Sequence, residues 1–119
     1  MTLQECYEKM GGDYAEVLSR LIKEDRIEKY MVKFLDDPTY QTLCEVKTAG
    51  DHEAVFLHIH TLKGVSQNLG FGNLYRASYE MTEAVRGGIP LGDESLFEAV
   101  SKAYNETIAI IEEFAENVK

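Results

Sequence analysis

A histidine, a lysine three residues on and a glycine after that form the one group of residues in this chain whose types and spacing point to chemistry. They are His60, Lys63 and Gly64, inside the run Phe56-Leu57-His58-Ile59-His60-Thr61-Leu62-Lys63-Gly64-Val65-Ser66-Gln67-Asn68-Leu69-Gly70. On a helix, positions i, i+3 and i+4 share a face. An imidazole, an ammonium and a bare patch of backbone then form one surface. A neutral imidazole offers one nitrogen as donor and the other as nucleophile. A helix-interior glycine costs about 1 kcal/mol relative to alanine, so its presence asks for a reason, and close approach of a partner supplies one.

The elements that must hold this surface are helical. Apolar residues recur at helical spacing along most of the chain, and strand-like alternation is scarce. A short N-terminal helix should end at Gly11-Gly12. Asp13 with Glu16 reads as a capping box for a helix to about Lys23. A further helix is expected over about Asp25 to Leu35, then a short one opened by Asp37-Pro38, with proline at its first position, and closed at Gly50. Asp51 caps the motif helix, which runs to about Leu69. Gly70-Phe71-Gly72-Asn73 is a turn short enough to force an antiparallel pair, and the next helix spans about Asn73 to Arg86. After Gly87-Gly88 and Pro90, Asp93 caps a last helix to about Asn117. The expectation is an all-α, up-down four-helix bundle with additional short N-terminal helices.

A helical wheel separates the histidines. With Val55, Ile59, Leu62, Ser66 and Leu69 as the core stripe, His60 lies about 140° from Val55, on the solvent side. His58 points about 200° away from His60 and falls at the stripe's edge, so the two cannot share a metal. His52 sits in the first turn. Lys63, Gly64, Gln67 and Phe56 flank His60. In the expected hairpin, facing residues sum to about 142. That places Thr82 opposite His60, Tyr79 opposite Lys63 and Arg86 near Phe56. Thr82 is the first choice to hold one ring nitrogen, with Tyr79 or Glu83 as alternatives.

Composition narrows the field. The chain has 119 residues and a net charge of −9 with no basic block, so nucleic acid is a poor partner. No apolar run approaches the ~20 residues that span a bilayer, and the start shows no signal-peptide pattern, so a cytoplasmic location is the default. Cys6 and Cys44 read as reduced, structural thiols. A glycine-rich nucleotide loop is absent, which argues against an ATP-dependent kinase. Met1 and a helix end near Lys119 point to a free-standing chain, with a monomer as the default.

At His60-Thr61-Leu62-Lys63-Gly64, Ser66 and Asn68-Leu69-Gly70 the chain resembles the histidine phosphotransfer (HPt) domains of bacterial and plant phosphorelays. The resemblance implies a single HPt-like domain over residues 1–119. It implies a phosphoryl carrier without its own kinase activity, working between a sensor kinase or receiver-domain aspartate and another receiver aspartate. By position, His60 would take the phosphoryl group, most simply on Nε2. Lys63 would offset its charge, and Gly64 would leave room for a receiver loop. Phe56, Gln67, Thr82 and Arg86 are candidates for docking or orienting. No cofactor of its own is implied, with Mg²⁺ expected on the receiver. Ile59 and Phe71 depart from the small residues the family often carries there, which bears on partner choice. Two other readings stay open: a non-catalytic adaptor, and a receiver phosphatase in which Gln67 or Glu53 orients water.

Overall fold

The computed structural model describes residues 1–117. Among them the chain forms seven α-helices and one 3₁₀ turn. These are α1 (Leu3–Lys9), α2 (Tyr14–Leu21), α3 (Glu24–Lys33) with the 3₁₀ turn Phe34–Asp36, α4 (Thr39–Thr48), α5 (His52–Leu69), α6 (Gly72–Ala84) and α7 (Glu94–Asn117). Helices α4 to α7 make the up-down four-helix bundle, and α1 to α3 are the short N-terminal helices. The expected end near Lys119 lies outside the described residues.

Each bundle helix buries the stripe its spacing dictates. On α5 this is Val55, Ile59, Leu62 and Ser66; on α6 Leu74, Ser78, Met81 and Thr82; on α7 Val100, Ala103, Tyr104, Thr107, Ile111 and Phe114. Leu69, placed in the α5 stripe by the wheel, is only half-buried. Helices α4 and α7 close the ring. The Tyr40 and Tyr104 rings stack at 3.9 Å between centroids, and the Tyr40 hydroxyl donates to Ser101 Oγ at 2.8 Å. Lys47 pairs with Glu94 at 2.8 Å while lying over the Phe97 ring. Cys6 and Cys44 are free thiols, as expected.

Local signals decide the helix ends. Asp51 Oδ1 accepts from Ala54 N at 3.1 Å, capping α5 as its sequence indicates. Asp13 accepts from Glu16 N, but Glu16 pairs with Arg20 instead of reaching back, so half of the expected capping box forms. The reciprocal box is at Thr2 and Glu5, opening α1. Pro38 stands one residue before α4 rather than at its first position. Helix α2 stops at Leu21 because Ile22 takes φ +72°, with Lys23 N donating to Leu21 O at 2.8 Å in a γ-turn.

The α5–α6 junction is the most heavily secured point of the fold. A helix leaves its last four carbonyls without intrahelical partners. On α5 all four are taken. Phe71 N donates to Ser66 O at 2.9 Å and Gly70 N to Gln67 O at 3.2 Å, a Schellman closure that Gly70 permits at φ +77°. Arg20 donates to Asn68 O at 3.0 Å, and the Tyr7 hydroxyl to Leu69 O at 2.7 Å. Burial pushes the Tyr7 phenol far above its ordinary range, so it stays a donor. Asn73 N donates to Met10 O at 2.8 Å, bringing the two glycine turns together. Phe71 is fully buried there, edge-on to Phe34 at 5.1 Å and tilted against Tyr7 at 6.3 Å.

A side chain at Gly72 would collide with the Gly11 carbonyl, which is backbone and cannot move aside. Alanine in a helix ordinarily stabilises relative to glycine by up to about 1 kcal/mol. Gly72→Ala should instead destabilise, by about 1–3 kcal/mol for an overpacked site. Urea unfolding checks this: the midpoint should fall with an unchanged slope.

Candidate functional site

Helix α5 carries the site because its buried stripe fixes its rotation. With Ile59 and Leu62 fully buried, His60 stands on the exposed face. The His60 ring stacks on Phe56, one turn earlier, at 5.9 Å between centroids and 11° between planes. Among the described residues no side chain hydrogen-bonds to the exposed His60 ring, and its aromatic neighbour sets its plane. His58 is half-buried, with Nδ1 2.8 Å from Ala54 O, the boundary position its wheel angle indicates. Among the described residues no three His, Cys, Asp or Glu side chains gather as a metal ion would require.

Lys63 lies between α5 and α6. Its ammonium sits 5.6 Å from the centre of the Tyr79 ring, on the residue the hairpin register places opposite it. Gly64 is more telling. A Cβ built there meets nothing within 4 Å beyond the helix's own backbone. Nothing inside the protein requires glycine at this position. Gln67 is exposed on the same face, and its backbone carbonyl, not its side chain, carries its hydrogen bonds.

One expectation needs correction. Thr82 does not hold the imidazole. It is fully buried, and its hydroxyl donates to Ser78 O at 2.6 Å. The register is right but the direction is not, because Thr82 belongs to the inward stripe of α6 with Met81 and Ser78. Arg86, in the turn that follows α6, is exposed and pairs with Glu83. That ion pair holds the Glu83 carboxyl below the usual carboxylate range, with Lys63 adding to the effect.

Leu57 was not singled out by the sequence, although it lies one turn before His60 and is 59% exposed. The signal was present as an apolar residue on the polar side of the wheel. With Phe56 and Tyr79 it puts apolar surface beside the imidazole and ammonium. An exposed histidine on an open, partly apolar helix face is suited to a macromolecular partner rather than to an enclosed small substrate.

The family model of the Hpt domain matches residues 3–115. The chain belongs to the Hpt domain family. No curated protein and no solved structure matches it. Membership brings a role in phosphorelay signalling, with response regulators and kinases as the class of partner. No helix among the described residues is long and apolar enough to cross a membrane. Ile59 and Phe71 are both fully buried. Neither side chain reaches the exposed face that carries His60.

Open space at Gly64 makes a stability prediction. Gly64→Ala should raise unfolding free energy by about 0.5–1 kcal/mol, since the new methyl meets no obstacle and helix propensity improves. Denaturant unfolding measures it; a loss of stability would reveal an internal need for glycine.

Proposed function

We propose that this Hpt domain carries a phosphoryl group on His60, between a kinase or receiver-domain aspartate and another receiver aspartate. The observation that carries the reading is the combination at one exposed helix face: an imidazole oriented by Phe56, an ammonium one turn on, and a glycine that no internal contact explains. In the forward step the lone pair of Nε2 attacks phosphorus in line. The N–P bond forms as the P–O bond to the donor aspartate breaks, and that bond's electrons return to the carboxylate. Such a loose transition state asks for alignment and charge neutralisation more than for covalent machinery. The rigid helix α5 supplies alignment, and Lys63 supplies charge on this side. Mg²⁺ and a further cation come from the receiver, so the chain needs no cofactor of its own. Gly64 lets the receiver's loop approach the α5 backbone, with Phe56, Leu57 and Gln67 bordering the contact. A cytoplasmic location is part of the same proposal.

Incubation with a phosphorylated receiver domain and Mg²⁺ should label the wild type and leave His60→Gln unlabelled. The label should be acid-labile and alkali-stable, the signature of phosphohistidine. Equal labelling of both proteins would remove His60 from the reaction, and receiver dephosphorylation by His60→Gln would favour the phosphatase reading through Gln67.

Gly64→Gln tests the approach of the partner separately. It should raise the KM for the receiver at least about tenfold, which is about 1.4 kcal/mol of docking energy, while the far-ultraviolet circular dichroism stays that of the wild type. Unchanged kinetics would place the receiver's loop elsewhere.

A further inference from the structure

We propose that Tyr79 is a positioning residue for Lys63, holding its ammonium at the flank of His60 so that it meets the phosphoryl group from the α6 side. This rests on the carrier reading of His60. Lysine has a flexible four-carbon stem and three rotatable donors, so a free Lys63 would spread its charge over a wide arc. In the structure it is half-buried, and its ammonium lies over the Tyr79 ring at 5.6 Å. The aromatic face attracts the cation without neutralising it. A carboxylate would compete with the phosphoryl group for the same charge; a ring competes far less.

The surrounding charges fit this arrangement. Glu83 lies one turn beyond Tyr79 on α6 and is an acid whose carboxyl feels the Lys63 charge. Arg86 occupies its carboxylate, at 2.5 Å. Glu80, also exposed on α6, makes no ion pair among the described residues. Glu83 still feels the Lys63 charge, but its carboxylate is already paired with Arg86. The 42% exposure of Tyr79 leaves room for the ammonium to slide off the ring edge toward an incoming phosphoryl group.

The test combines nuclear magnetic resonance with a double-mutant cycle. The ring current of Tyr79 should move the ε-methylene protons of Lys63 upfield in the wild type. The shift should persist in Tyr79→Phe, which keeps the aromatic face, and vanish in Tyr79→Leu. With a phosphorylated receiver as donor, Tyr79→Leu should lower the saturating transfer rate about two- to fivefold, the range of an exposed cation–π contact, with KM unchanged. Tyr79→Phe should restore the wild-type rate. In a Lys63→Ala background, Tyr79→Leu should change nothing further.

An ordinary Lys63 shift in the wild type overturns the proposal without any variant. So does a Tyr79→Leu loss of the same size with and without Lys63, which would put Tyr79 in direct contact with the receiver. A wild type that takes no label overturns the carrier reading and this role together. A labelled wild type with additive losses overturns this role alone.

Discussion

The last four carbonyls of α5 are the point on which the site depends. A helix packed by a stripe of apolar side chains can still rock about its axis, and each residue's step is about 100°. A small rotation would carry His60 toward the groove or His58 toward solvent. Here the C-terminal end is held by groups from three directions: the backbone of the Gly70–Phe71 turn, Arg20 of α2 and Tyr7 of α1. A carbonyl left without a partner where water is excluded costs about 1–3 kcal/mol, which bears on the part-buried Leu69 O that Tyr7 satisfies. These bonds tie the rotation of α5 to the seat of the N-terminal helices.

The same junction explains the aromatic path through the molecule. Tyr7, Phe71, Phe34, Tyr104 and Tyr40 follow one another from α1 through the turn and the 3₁₀ segment to α7 and α4. A small residue at position 71 would open a gap in this path. Phe71 is thus the piece that lets α1 and the 3₁₀ turn pack against the hairpin. The site inherits rigidity from contacts that lie on the far side of α5.

How much of this was legible in the sequence follows the range of the interactions involved. The inward stripe of α5, the Asp51 cap, the Gly70 closure and the opposition of His58 and His60 are properties of a few consecutive residues, and each reads directly from spacing. The pairing of Lys63 with Tyr79 also followed, because a two-residue turn fixes hairpin register. Direction across the groove did not. Thr82 and Tyr79 are adjacent in the band of α6 that faces α5, yet one points inward and the other outward, which register alone does not decide. Ile22 was illegible for another reason: a β-branched residue at positive φ contradicts its own propensity, and its exposed side chain gives no packing signal. The long-range hydrogen bonds of Tyr7 and Arg20 carried no local signal beyond the glycine pairs they secure.

Those glycines finally separate architecture from function. Gly12 and Gly72 are held by collisions that a Cβ would make with backbone carbonyls of the facing turn, and Gly70 by its left-handed φ. In each case the folded chain itself supplies the reason. At Gly64 it supplies none: the position is helical, the space is open, and alanine would be the better helix former. A stability cost that no intramolecular contact offsets is the mark of a constraint imposed from outside the molecule. Gly64 lies one turn from His60 and beside Lys63. On the carrier reading proposed above, that constraint is the need for another backbone to come close beside the imidazole and ammonium.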